Sequence, residues 1–161
     1  MKRMYGGLAI GAASVLVLLY YLASPVEKAT SRATLTPNVK AVVSLGKEVY
    51  AQNCASCHGT NLEGQANWRQ RDANGYMLAP PHNESGHTWH HSDDYLFSMT
   101  KYGIENTIGK KYPNNMPVYE RQLSDEKIIA ALSYIKSTWS RLTQRQHDQI
   151  NARANTYNKD H

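Results

Sequence analysis

The run Cys54-Ala55-Ser56-Cys57-His58 constrains this chain more than any other feature of it. Thiols three residues apart, followed at once by an imidazole, suit the attachment of one haem. Both sulfurs add to vinyl groups of the macrocycle as thioethers, and His58 becomes the proximal iron ligand. The chain holds 2 cysteines in all. None is left for a thiolate zinc site, and a redox dithiol gives no reason for the histidine that follows.

The 161 residues leave room for one small domain besides an apolar leader. No charge occurs from Met4 to Val26, and the stretch from Gly6 to Ala23 is about 27 Å long as a helix, near the thickness of a bilayer core. Lys2 and Arg3 precede it and Tyr20-Tyr21 sit at its far end, an order that keeps the N-terminus cytoplasmic and exports the rest. Residues 1–24 are therefore expected to form a retained signal-anchor helix. A cleaved signal peptide shares the same order, but Leu22-Ala23-Ser24 is a poor cleavage site and Ala29-Thr30-Ser31 lies well past the apolar core. Residues 25–41, rich in Thr, Ser, Ala, Lys and Pro, read as a flexible tether.

The domain proper is expected over 42–140 and is all-α. Val42, Val43, Leu45, Val49 and Tyr50 recur at helical spacing ahead of Cys54, so a first helix runs into the motif and ends near His58-Gly59. Residues 59–92 are broken by glycines and by Pro80-Pro81. So long an irregular stretch is tolerable only if the macrocycle serves as its core, covered by Leu62, Trp68, Met77 and Leu78. Ser92 then caps a short helix begun by Asp93 and Asp94 and ended at Gly103. Ser124-Asp125-Glu126 repeats that start, and Ile128, Ile129, Leu132, Ile135 and Trp139 form the apolar stripe of the next helix. Residues 141–161 are a polar helical tail whose apolar face is limited to Leu142, Ile150 and Ala152 or Ala154.

These elements, in this order, resemble the class I mono-haem c-type cytochromes in a membrane-anchored bacterial form, over about Val42 to Trp139. Gly46 and Tyr50 are similar to the small residue and the aromatic of that family's first helix, and Tyr134 to the aromatic of the last helix that crosses it. The resemblance implies a small class I cytochrome c fold around one covalent haem c. It also implies that Met116, in Asn115-Met116-Pro117, supplies the second axial ligand, with Met77 and Met99 as weaker candidates. It implies further that the Pro80 carbonyl accepts the Nδ1–H of His58, a bond that fixes ring and tautomer; Pro81 is the alternative. His82 stands where the family usually has an apolar residue.

Three features remain. His82, His87, His90 and His91 lie close together in a loop, where they either converge on copper or zinc or serve as hydrogen-bond partners and turn contacts. Trp89 either donates its indole N–H to a haem propionate or packs on the haem edge. Lys101, Lys110, Lys111 and Arg121 flank the Met116 segment and suit electrostatic docking to an acidic redox partner, or are ordinary solvated charges. The formal net charge of +5 is too mild to argue for nucleic acid. No phosphate loop or catalytic triad pattern occurs, and an iron with both axial positions filled has no place for substrate, so the protein is expected to be an electron carrier and not an enzyme. As the resemblance implies, it would work on the periplasmic side of a bacterial cytoplasmic membrane, as a single-pass protein in a respiratory chain. Its donor would be a bc1-type complex or a dehydrogenase and its acceptor a terminal oxidase. The alternatives are a haem c subunit of a periplasmic dehydrogenase or oxidase, and a haem sensor or enzyme with a displaceable sixth ligand.

Overall fold

Helix α1, Lys40–Asn53, buries Gly46, Val49 and Tyr50, an i, i+3, i+4 set that makes one face apolar. That face lies across α5, Asp125–Ser137, and the two form the most extensive helix pair of the domain. The helices of this computed structural model belong to residues 32–157, which are the residues the structure describes. The expected anchor over 1–24 lies outside them. Among the described residues no helix is long and apolar enough to cross a membrane.

The two helices meet where α1 has no side chain. A Cβ on Gly46 would overlap the Ala130 carbonyl oxygen and would come within 2.9 Å of Tyr134 Cβ. On α5, Ser124 caps the N-terminus by accepting the Lys127 N–H, and Ile128, Leu132 and Ile135 carry the stripe into the core with Trp139 just beyond. Tyr50 is 2 % exposed and packs on Tyr134 with ring centroids 5.6 Å apart.

Helix α2, Ala55–His58, follows α1 after Cys54 and stops at Gly59, whose φ of 81° ends the helix. A 3₁₀ turn spans Thr88–His90, and α3, Asp93–Tyr102, begins at Ser92, whose hydroxyl accepts the Tyr95 N–H. A five-residue helix, α4, Ile104–Ile108, follows directly. It was not expected, because Gly103 reads as a stop and the segment is too short for a periodic pattern.

The tether expected over 25–41 does not extend through the described part of that range. Ala33 and Leu35 are buried, and their N–H groups donate to Asp94 Oδ1 at 2.8 Å and Asp93 Oδ2 at 2.9 Å. The Thr36 N–H donates to Ser133 Oγ, and α1 starts at Lys40. The two aspartates at the start of α3 thus do more than suit the helix dipole. They satisfy the backbone of an arm that composition alone assigns to a loose linker.

The polar tail is a helix, α6, Arg141–Tyr157, and the face it buries is not the one expected. Leu142 is 60 % exposed, whereas Thr143 and His147 are buried. Asn151 pairs with Asp93 in both directions, donating to Oδ1 at 3.0 Å and accepting the Asp93 N–H at 2.7 Å. Lys136 on α5, itself buried, reaches Asp148 at 2.6 Å. Polar pairing decides this docking, which is why apolar periodicity misplaces it.

Candidate haem site

Cys54 is the hinge between α1 and α2, its N–H still bonded to the Tyr50 carbonyl, and both cysteines are free thiols, Cys57 exposed and Cys54 less so. Burial first, then the neighbouring Cys57, pushes the Cys54 thiol up to about 11, so it rests protonated at neutral pH. His58 closes α2. Its Nδ1 lies 2.8 Å from the Pro80 carbonyl oxygen, the contact the resemblance implies, and Pro81 does not replace it. A carbonyl oxygen only accepts, so Nδ1 carries the proton and Nε2 keeps its lone pair. Burial holds the His58 pKa below the ordinary value, against the opposing pull of that hydrogen bond. The imidazole is therefore neutral and oriented, as metal ligation requires.

Local chemistry places Pro80 there. Gly64 has φ 70°, and a Cβ on it would approach Pro81 N to 2.5 Å and Pro80 C to 2.7 Å, so a residue with no side chain lets the two strands of the loop touch. The Gly64 N–H donates to the His58 carbonyl, the Gln65 N–H to Ala79 O, and the His82 and Asn83 N–H groups both to Leu62 O. The long irregular stretch is thus pinned to α2 by its own backbone.

Met116 is half-buried in the extended segment before Tyr119, its N–H donating to Asn114 Oδ1 at 2.9 Å. That segment is tied to the cysteine motif by a bond no pattern announced. The Tyr119 hydroxyl donates to the carbonyl of Asn53, the residue before Cys54, at 2.6 Å. Burial, followed by the two cysteine thiols, pushes the Tyr119 phenol up to about 12, so it stays a donor. Met77 lies beside the same segment, its N–H donating to Pro113 O at 3.0 Å, and Met99 is on α3.

Trp89 packs against the core while its Nε1 is buried without a hydrogen-bond partner. A buried indole N–H ordinarily finds an acceptor, so this orphan donor fits a ligand that brings one. The other histidines do not converge. Among the described residues no group of three or more His, Cys, Asp or Glu is placed to hold a metal ion. Aromatic neighbours claim each ring: His87 stacks on Trp68, His91 on Tyr95, His90 meets Trp89 edge-on, and His82 stacks on His58. Among the flanking cations, Lys101 is bound to Asp125 at 2.6 Å, while Lys110, Lys111 and Arg121 are exposed.

One free thiol on a short helix and another at its N-cap, a neutral imidazole aimed by a backbone carbonyl, and an orphan indole donor fit a macrocycle held by Cys54, Cys57 and His58. An all-helical domain built on such a site is a covalent haem protein. The Cytochrome c family model matches residues 43–139, more than half of the chain, and the chain belongs to that family. It is a haem c protein of the electron-transfer type, and its cysteine pair fits one haem. No solved structure matches it.

Proposed function

We propose that this protein is a class I mono-haem electron carrier with His58 and Met116 as axial ligands. It is tethered by residues 1–24 to a bacterial cytoplasmic membrane, with the haem domain on the periplasmic side. Bound haem supplies reversible one-electron exchange at iron, and every other part of the task falls to the chain. The thioethers of Cys54 and Cys57 retain the group, Pro80 sets the tautomer of His58, and the Tyr119–Asn53 bond holds the Met116 segment beside the cysteine motif. The orphan Trp89 N–H suits a propionate. The observation that carries the reading is the His58 Nδ1–Pro80 contact of 2.8 Å, because it leaves Nε2 free for iron.

A thioether ligand favours the ferrous state and raises the potential, which suits delivery to a terminal oxidase from a bc1-type complex or a dehydrogenase. Support for the membrane location comes from the uncharged run between Met4 and Val26 with Lys2 and Arg3 before it. Replacing Met116 with Ala tests the centre. The long-wavelength band from thioether to ferric iron should vanish and the potential should fall. A band that persists would transfer the ligand role to Met77 or Met99.

A further inference from the structure

His82 occupies an unusual place. Its ring lies face to face with His58, centroids 3.9 Å apart and planes 24° from parallel. Three bonds fix it there. Its Nδ1 is 2.8 Å from the Thr88 hydroxyl, its N–H donates to Leu62 O at 2.9 Å, and its carbonyl accepts the Trp139 indole N–H at 2.8 Å. Tyr50 closes another side, edge-on with centroids 6.2 Å apart. Thr88 is itself 6 % exposed and lies within 3.5 Å of the Pro81 carbonyl, so the anchor of the ring is also part of the packed loop.

The bond from His58 to Pro80 constrains one point on the edge of the proximal ring. About the line of that bond the imidazole can still swing, because a single hydrogen bond has a broad angular well. A flat group against the face removes this freedom, since tilting the ring drives it into a neighbour at van der Waals distance. A branched aliphatic side chain of similar volume would fill the space without presenting a plane.

We propose that His82 is a positioning residue for the proximal ligand: stacked on His58 and anchored through Thr88, it sets the plane of the His58 imidazole, while Pro80 sets its direction. This rests on His58 being the iron ligand. The plane of an axial imidazole governs how unpaired spin is shared over the macrocycle in the low-spin ferric state, and outer-shell contacts tune the iron by the same route. The role is therefore visible in spectroscopy without any partner protein.

The experiment is proton NMR of the ferric haem-loaded protein, with the reduction potential measured alongside, for wild type, His82→Leu, His82→Phe and Thr88→Val. Wild type must first show a low-spin iron with an imidazole ligand; a high-spin iron, or one without imidazole, overturns the His58–Met116 reading of the centre. Given that spectrum, His82→Leu should rearrange the order of the four ring-methyl shifts and move the potential. His82→Phe keeps a plane but loses the bond to Thr88, so it should move the methyl shifts less than His82→Leu and in the same sense as Thr88→Val. Thr88→Val, which frees the ring without removing it, should move the methyl shifts in the same sense as His82→Leu by a smaller amount. A wild-type methyl order in His82→Leu would overturn the proposal while leaving His58 as ligand, and so would a rearrangement as large in His82→Phe as in His82→Leu. Should His82→Leu fail to mature, the Phe and Thr88→Val pair decides: shifts in the same sense in both support the role, and a wild-type spectrum in Thr88→Val or shifts of opposite sense reject it.

Discussion

Gly46 of α1 and Ala130 of α5 approach so closely that no Cβ fits between them. Because backbone rather than a flexible side chain is in the way, a larger residue must push the helices apart. Gly46→Ala gains up to about 1 kcal/mol of helix propensity and loses the crossing. Overpacking costs about 1–3 kcal/mol or more, so the net effect should be destabilising. Denaturant midpoints at unchanged m-value measure it, and an equal or higher midpoint would show that the crossing adjusts freely.

Asp93 joins three segments, accepting from the Leu35 N–H and from Asn151 while starting α3. Asp93→Ala leaves those donors without their acceptor, a loss of about 2–6 kcal/mol if each costs about 1–3. The arm from Arg32 to Thr36 should then become accessible to trypsin at Arg32, faster than in wild type. Unchanged cleavage would mean that burial of Ala33 and Leu35 alone holds the arm.

His147 is fully buried on α6, edge-on to Trp139 and 3.5 Å from Asp93 Oδ1. That spacing is too long for a strong hydrogen bond, and Asp93 is already engaged. Burial first, with the Lys136 cation, holds the His147 pKa below its ordinary 6.5, although Asp93, Asp148 and the His91 backbone pull it the other way. The unfolded chain therefore takes up a proton near pH 6.5 that the folded chain refuses. Stability should be complete above that value and fall as the pH drops from it toward the depressed folded value, by at most about 1.4 kcal/mol per pH unit for this group. Urea melts from pH 7.5 to 5 should show a shallower acid limb for His147→Gln than for wild type. Parallel limbs would place the proton uptake elsewhere.

Lys110 and Lys111 are exposed beside the Met116 segment, whereas Lys101 is engaged by Asp125. If the exposed pair steers an acidic acceptor, neutralising both should slow oxidation of the ferrous protein by a purified terminal oxidase at low ionic strength. The difference should shrink as salt screens it. Equal second-order rates at low salt would remove the docking role from these lysines.

The cysteine motif and the two capped helices were legible in the chain because each depends on local chemistry, whereas the α1–α5 crossing was reached only through the family resemblance of Gly46, Tyr50 and Tyr134. Cys54, Cys57 and His58 are contiguous; Ser92 and Ser124 cap with their own side chains; the stripe from Ile128 to Ile135 repeats at the helical period. The Pro80 contact was likewise within reach only through resemblance, since Pro80 lies 22 positions after His58 and the stretch between them carries no period. Composition pointed the wrong way for the arm at Ala33 and Leu35 and for the buried face of α6. In both places polar groups on other segments, Asp93 and Asp94 for the arm, Asp93 again and Lys136 for the helix, supply the partners. Hydrophobic periodicity is blind to hydrogen bonds between segments 58 or 61 positions apart. The sequence by itself determined that a haem is covalently held and which helices frame it. Only the tertiary structure decided that His82 lies on the face of His58, that Tyr119 anchors the Met116 segment to Asn53, and that the loop histidines disperse among aromatic rings instead of gathering on a metal. Those outcomes depend on where a long irregular loop folds back, and loop closure is settled by the sum of its contacts in space.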